Sequence, residues 1–258
     1  MATPAADSAA EDFAGRVVLI TGAAGSIGAA LVRAFADRGA IVAAADRSWP
    51  AASSPESIAR THLDVTDAAS VTQVVEAAAT AHGRLDVLVN VAGVVSHGSA
   101  LDLPAAEWDR VMNVNLRGSF LCCQAGLRQM MPRGYGRIVN VGSLVGKNSG
   151  NARPWIAPEE QNVAGNVAYG VSKAGVHAMT GFLAKEAASA GVTVNAVAPG
   201  PIATTMTASF PAQLRAAIPV GRMGTLDDVV NAVLFLASPR SGFITGEVLD
   251  VNGGMWCD

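Results

Sequence analysis

The 258-residue sequence holds only three cysteines, Cys122, Cys123 and Cys257. They form neither a CxxC pair nor a framework of bridges. That excludes a disulfide-stapled secreted scaffold and points to reduced thiols in a cytoplasmic protein, with Cys122 and Cys123 packed in the interior of a helix. The four histidines, His62, His82, His97 and His177, show no metal-ligand spacing, so no metal site is expected. His97 reads as a surface residue. Charge is also sparse: 15% of residues carry it and the formal net charge is −3. Neither nucleic acid nor an anionic membrane has an electrostatic reason to bind. No apolar run approaches the roughly 20 residues that span a bilayer. Met1 to Asp12 is rich in Ala, Ser and Asp and lacks both a basic start and an apolar block, so residues 1–12 read as a disordered tail rather than a secretory signal. No repeat or linker divides the remainder, and 13–258 is expected to be one domain.

Half of the residues are hydrophobic, enough for a large core. The most informative stretch begins with Val17-Val18-Leu19-Ile20, a β-branched run suited to a strand buried on both faces. Thr21-Gly22-Ala23-Ala24-Gly25-Ser26-Ile27-Gly28 follows, then a helix with Leu31, Ala34 and Phe35 on one face, ended by Gly39. Strand, glycine turn and helix in this order form the context of a dinucleotide-binding turn. Gly22 permits the tight bend, Gly25 lets backbone N–H groups approach a pyrophosphate, and Gly28 allows close helix–strand packing. Ile41 to Ala45 is a second strand ending at Asp46, which lies 18 residues beyond Gly28. A carboxylate about 20 residues on is placed to bond an adenosine ribose diol and to repel the extra phosphate of NADP. The expected cofactor is therefore NAD, with NADP less favoured, although neighbouring Arg47 is able to meet that phosphate.

Further strands are expected at Thr61–Val65, Leu85–Asn90, Arg137–Val141, Thr193–Val197 and Val248–Val251. Helices fall between them: one carrying Val71, Val74, Val75 and Ala78, a short one from Pro104, a longer one entered from Met112–Leu116 and ending before Pro132, one over 167–190, and one capped by Thr225. Alternation of this kind gives an α/β, Rossmann-like doubly wound parallel sheet of about seven strands covered by helices on both faces.

Tyr169 and Lys173 lie four apart on an expected helix and so share a face. An ammonium there is able to lower the phenol's pKa from its reference of about 10, and a tuned phenol exchanges a proton while a hydride moves at carbon. The strand ending at Ser143 precedes them.

Together these motifs resemble the short-chain dehydrogenase/reductase family from Phe13 to the C-terminus. TGAAGSIG is similar to the family's TGxxxGxG, with Ser26 where the middle glycine is usual. Asn90-Val91-Ala92-Gly93 resembles its NNAG, with valine in the second place. Asn115, Ser143, Tyr169 and Lys173 match its catalytic tetrad, and Pro199-Gly200 its PG pair. The resemblance implies that Tyr169 is the acid/base, Ser143 bonds the substrate oxygen, Lys173 binds the nicotinamide ribose, and Asn115 supports a proton-relaying water. It further implies cofactor contacts from Gly22, Ser26, Ile27, Gly28, Asp46 and Arg47. Asp64 and Val65 would meet the adenine, Asn90, Ala92 and Gly93 line the cleft, and Pro199, Ile202 and Thr204 stand at the carboxamide end. A homotetramer is also implied, helped by small residues Ala174, Ala178 and Gly181 on the Lys173 helix.

One departure is larger. Ser143 and Tyr169 are 26 residues apart, about twice the usual family separation, which leaves an insertion within 146–167. Long loops at such positions often bind ligands. Arg153 and Trp155 are the candidate contacts there for an anion and a sugar or aliphatic chain, beside Ser143, Val145 and Tyr169. The expected function is NAD-dependent oxidation or reduction of a secondary alcohol or ketone, with a polar hydroxy acid or sugar-derived acid as the small-molecule substrate. Two alternatives stand beside it: a 3-oxoacyl thioester reductase, against which Asp46 argues because such relatives generally prefer NADPH, and a non-catalytic NAD-sensing regulator.

Overall fold

The side chains of Val17–Thr21 (β1) alternate between two cores, as the period of a strand requires. Val18 and Ile20 enter one; Val17 and Leu19 enter the other. The computed structural model describes residues 11–49, 58–150, 165–204 and 215–257. In it β1 is joined by Ile41–Asp46 (β2), Ala59–His62 (β3), Val87–Asn90 (β4), Gly136–Val141 (β5), Val192–Pro199 (β6) and Val248–Val251 (β7). All pair in parallel, in the order β3-β2-β1-β4-β5-β6-β7. The order reverses between β1 and β4, so their carboxyl ends part and leave a crevice, where ligands bind in open α/β sheets.

Helices Ser26–Ala36 (α1) and Leu226–Ala237 (α7) cover one face. Phe13 and Phe35 meet edge-on there with ring centroids 4.9 Å apart. Ala68–Ala81 (α2), Gly118–Met130 (α4) and Val167–Ala187 (α6) cover the other, over a core that includes Leu88, Ile138 and Met130. Thr225 caps α7 as expected, within a reciprocal capping box with Asp228. Among the described residues no helix is long and apolar enough to cross a membrane.

Four local expectations are corrected. The third strand is Ala59–His62 rather than Thr61–Val65. Pairing with β2 stops at His62, and the carboxylate of Asp64 then turns the chain by accepting from the Thr66 N–H at 2.9 Å. The helix before Pro132 is not merely entered from Met112. Ala105–Val111 (α3) runs through a widened π turn, Met112–Arg117, directly into α4. Of the expected tail, residues 11 and 12 are structured: Glu11–Phe13 forms a 3₁₀ turn, and Asp12 pairs with Arg240 at 2.8 Å and accepts from the Ser238 hydroxyl at 2.6 Å. Burial of Phe13 holds that turn down. The sixth strand is longer than Thr193–Val197 and carries Pro199 as its last residue.

Candidate active site

The crevice is floored by a turn that only glycine fits. Gly22 has φ +66°, and a Cβ there would lie 2.6 Å from the Ala92 nitrogen; one on Gly28 would lie 2.1 Å from the Gly22 carbonyl oxygen. The ends of β1 and β4 are tied by the Thr21 hydroxyl, which accepts from Val91 N–H at 3.2 Å and Ala92 N–H at 3.3 Å. No side chain caps the N-terminus of α1 at Gly25. Its first N–H groups and dipole therefore face the cavity, as an anion site requires.

The cavity holds about 550 Å³. Gly22, Ser26, Ile27, Gly28, Asp46, Arg47, Asp64, Val65, Ala92, Gly93, Ser143, Tyr169, Lys173, Pro199, Ile202 and Thr204 all line it. Asp46 is fixed at the end of β2, its two carboxylate oxygens accepting from Ala24 N–H at 3.0 Å and Ser48 N–H at 3.1 Å. Hydrogen bonds from the Thr66 backbone and hydroxyl hold the Asp64 carboxyl below its ordinary range. The glycine cradle, the open helix end and the ribose-distance carboxylate together fit a nicotinamide dinucleotide.

Tyr169 and Lys173 stand one turn apart on α6. The helix begins at Asn166, whose side chain accepts from the Ala168 and Tyr169 N–H groups at 3.1 and 3.3 Å. The same amide donates to the Ser96 hydroxyl at 2.7 Å and the His97 carbonyl at 3.0 Å, anchoring the tyrosine's end of α6 to the loop after β4. Burial pushes the Tyr169 phenol up, against a hydrogen bond with the Ser143 hydroxyl that lowers it. The expected net lowering by Lys173 is thus not the balance found. The ammonium donates to the Val141 carbonyl at 2.8 Å and sits 5.9 Å from the phenol ring centre, and its own burial pushes it down to about 8.

Asn90 differs from expectation in not lining the cavity, and Asn115 also stands behind the lining. Asn115 sits in the π turn, fully buried, with its side-chain oxygen accepting from Val94 N–H at 2.7 Å. Its nitrogen donates to the Val94 carbonyl at 2.9 Å and the Ser172 hydroxyl at 3.0 Å. These bonds tie the side chain to the loop after β4 and to α6. A Cβ on Gly93 would lie 3.3 Å from the Asn115 side-chain oxygen and 3.4 Å from Lys173 Nζ, so the two flank that glycine. Asn90 turns beneath the sheet and donates to Asn140 at 2.9 Å and Cys123 Sγ at 3.3 Å. Val145 stands outside the lining, with its N–H 3.4 Å from the Ser143 hydroxyl oxygen. Arg153 and Trp155 lie outside the described residues.

Lining residues missed from the sequence include Ser48, Leu63, Val94, Val95 and Val114. Each neighbours an identified residue at the carboxyl end of a strand or in the π turn, and that proximity was the available signal. Among the described residues no group of three or more His, Cys, Asp or Glu is placed to hold a metal ion.

This fold and cavity define a nicotinamide-dependent oxidoreductase, and the chain belongs to the short-chain dehydrogenase/reductase family. A family model described as enoyl-(acyl carrier protein) reductase matches residues 22–256. The 3-oxoacyl-[acyl-carrier-protein] reductase FabG of Vibrio cholerae is 39% identical over 251 residues, 94% of this chain and 98% of that protein. The (2S)-[(R)-hydroxy(phenyl)methyl]succinyl-CoA dehydrogenase subunit BbsD of Thauera aromatica is 41% identical, covering 93% of this chain and 96% of its own length. The crystal structure of gox2181 superposes with a TM-score of 0.84 at 33% identity, over 96% of this chain and 98% of that one.

Proposed function

We propose that the protein interconverts a 3-oxoacyl thioester and its 3-hydroxy form. The observation that carries this reading is the full-length similarity to two enzymes whose names both place the chemistry on an acyl thioester, one a carrier-protein ester and the other a CoA ester. It replaces the hydroxy-acid or sugar-acid reading as the leading one, since that reading stood only on Arg153 and Trp155. Val94 and Val95, apolar lining residues just past Gly93, suit an acyl chain better than a sugar. The family model's name concerns an alkene, but the convergence of the Ser143 hydroxyl and Tyr169 phenol suits a carbonyl oxygen.

In this reading Ser143 donates a hydrogen bond to the substrate oxygen and Tyr169 delivers the proton that turns it into a hydroxyl. A nicotinamide held in this cavity would supply the hydride; Lys173, which lines it, would bind the ribose and stabilise negative charge on the phenol oxygen. Asn115 and Asn166 hold the walls between which the substrate sits.

For the cofactor, the fixed Asp46 carboxylate supports NAD over NADP. For assembly, α6 presents Val171 and Phe182 at 41% and 79% exposure, and α4 presents Phe120 at 40%. These faces suit a second copy and hence a homotetramer. Of the three small residues, Ala174 is not free for a partner helix, since a Cβ on Gly146 would lie 2.7 Å from its nitrogen. Light scattering at micromolar concentration tests the tetramer.

The function is tested with acetoacetyl-CoA, a set of 2-hydroxy acids and a set of sugar acids, each with NAD(H) and NADP(H). Turnover of acetoacetyl-CoA well above the acids is the expected result; preference for an acid would favour a hydroxy-acid or sugar-acid substrate instead. Tyr169→Phe should bind NADH and not turn over.

A further inference from the structure

His177 lies one helical turn beyond Lys173 and has no part in the proton and hydride steps above. Its ring fills a notch in the loop that carries Ser143. The Ser143 N–H donates to His177 Nε2 at 3.3 Å. The glycines on either side of that loop are shaped around the imidazole. A Cβ on Gly142 would lie 2.1 Å from Nε2 and 2.6 Å from Cδ2, and one on Gly146 would lie 2.9 Å from Cε1. Two side chains are thus missing where the ring enters, and the backbone between them bonds it.

We propose that His177 is a positioning residue for Ser143: its neutral imidazole, with the proton on Nδ1, accepts the serine's backbone N–H and fixes the direction of the hydroxyl that meets the substrate oxygen. The inference rests on Ser143 and Tyr169 being the reacting pair. Only the neutral ring has an acceptor nitrogen to offer that N–H; an imidazolium would set a donor against a donor. An imidazolium would also stand one turn from the Lys173 ammonium, whose hydrogen-bond partner is the neutral Val141 carbonyl. Other titratable and charged groups stand on the elements packed against the ring. Tyr169 shares its helix. Val145–Asn148 (α5) brings Lys147, which is held by Asp250 of β7 at 3.1 Å and by the Val248 carbonyl at 2.9 Å. Strand β6 carries none, and Arg137 of β5 is bonded to the Ser238 carbonyl at the far end of the sheet. The π turn's Arg117 donates to the Thr66 carbonyl, away from the ring.

The test uses the intact protein and two readouts. A two-bond ¹H–¹⁵N spectrum at pH 8 should show His177 with Nε2 unprotonated; an Nε2–H tautomer overturns the proposal without any substrate. In kinetics with acetoacetyl-CoA, His177→Leu should lower kcat by about twofold to tenfold, the range of one lost neutral hydrogen bond, and leave NADH affinity unchanged. His177→Gln offers a carbonyl acceptor in place of the ring nitrogen, and should recover most of kcat. Unchanged kcat in His177→Leu, or equal loss of NADH binding in both variants, refutes positioning. Tyr169→Phe in parallel separates the two levels: if it remains active, the assignment of the reacting pair has failed, whereas an inactive Tyr169→Phe beside an unaffected His177→Leu defeats only the role of His177.

Discussion

Lys173 gives the most quantitative prediction. The residue is only 5% exposed, its ammonium is bonded to one neutral carbonyl, and burial lowers its pKa from 10.5 to about 8. At roughly 1.4 kcal/mol per unit, holding that charge in the folded protein costs about 3 kcal/mol relative to the unfolded chain. The sign follows from the depressed value. Below about pH 8 both states keep the proton and the native state bears the full cost. Between about 8 and 10.5 only the unfolded state stays charged, so stability rises with pH. Above 10.5 the cost is gone. Lys173→Met removes the titration and keeps most of the buried stem. Urea unfolding of wild type and variant, at equal protein concentration without cofactor, should therefore show a difference that shifts toward wild type from pH 8 to 10. The slope should approach 1.4 kcal/mol per pH unit; other titrations cancel in the difference. The variant should be inactive yet at least as stable as wild type near pH 7. A difference independent of pH would mean that Lys173 titrates as an exposed lysine, and would remove burial as the account of its state.

Three further outcomes are expected. Asp46→Ala should weaken NADH binding about tenfold or more, as the loss of charge-assisted bonds does, and should gain NADPH affinity through Arg47; fluorescence titration decides, and a wild type that prefers NADPH refutes the premise. Asn166→Ala should cost about 1 kcal/mol in urea unfolding as a lost helix cap and should lower kcat through the slackened loop at Ser96; unchanged kcat would limit Asn166 to stability. Native alkylation with iodoacetamide should label Cys257, which is exposed, and spare Cys122 and Cys123, whose thiols burial pushes up, that of Cys123 to about 12; rapid labelling of either buried thiol, read by mass spectrometry, would contradict the packed α4 core.

Much of this was legible in the sequence where the signal is local. The glycine turn, Asp46 at the end of a buried strand, and the four-residue step from Tyr169 to Lys173 are set by spacing alone, and each lines the cavity. The edge strand β3 was misplaced because Ala59-Arg60-Thr61-His62 is largely exposed and carries no alternation, while the more apolar Leu63 and Val65 leave the sheet to pack beside it. Asn90 and Asn115 were identified by residue type, but whether an amide faces a crevice or a core depends on the partner that reaches it. For Asn90 that is Asn140, fifty positions away. His177 was set aside for lack of metal spacing, since its partner is a backbone N–H that no side-chain pattern reveals. The substrate reading leaned on an insertion, the part of the chain that composition constrains least.

The π turn at Met112–Arg117 also acts on phase. A helix advances about 100° per residue, so the one extra residue accommodated by i→i+5 bonding offsets everything before it from everything after it. In an uninterrupted α-helix Asn115 would be rotated away from Val94 whenever Cys122, Cys123 and Leu127 kept their places in the core. Loop support and core packing are thus two demands on one helix that α-helical periodicity cannot meet together, and the widened turn lets both stand. Deleting Val114 would restore a regular helix and cost little in helical content, but would force a choice between these faces. In such a protein the sheet would still assemble while the wall beside Gly93 came loose, separating foldability from activity by the length of a single residue.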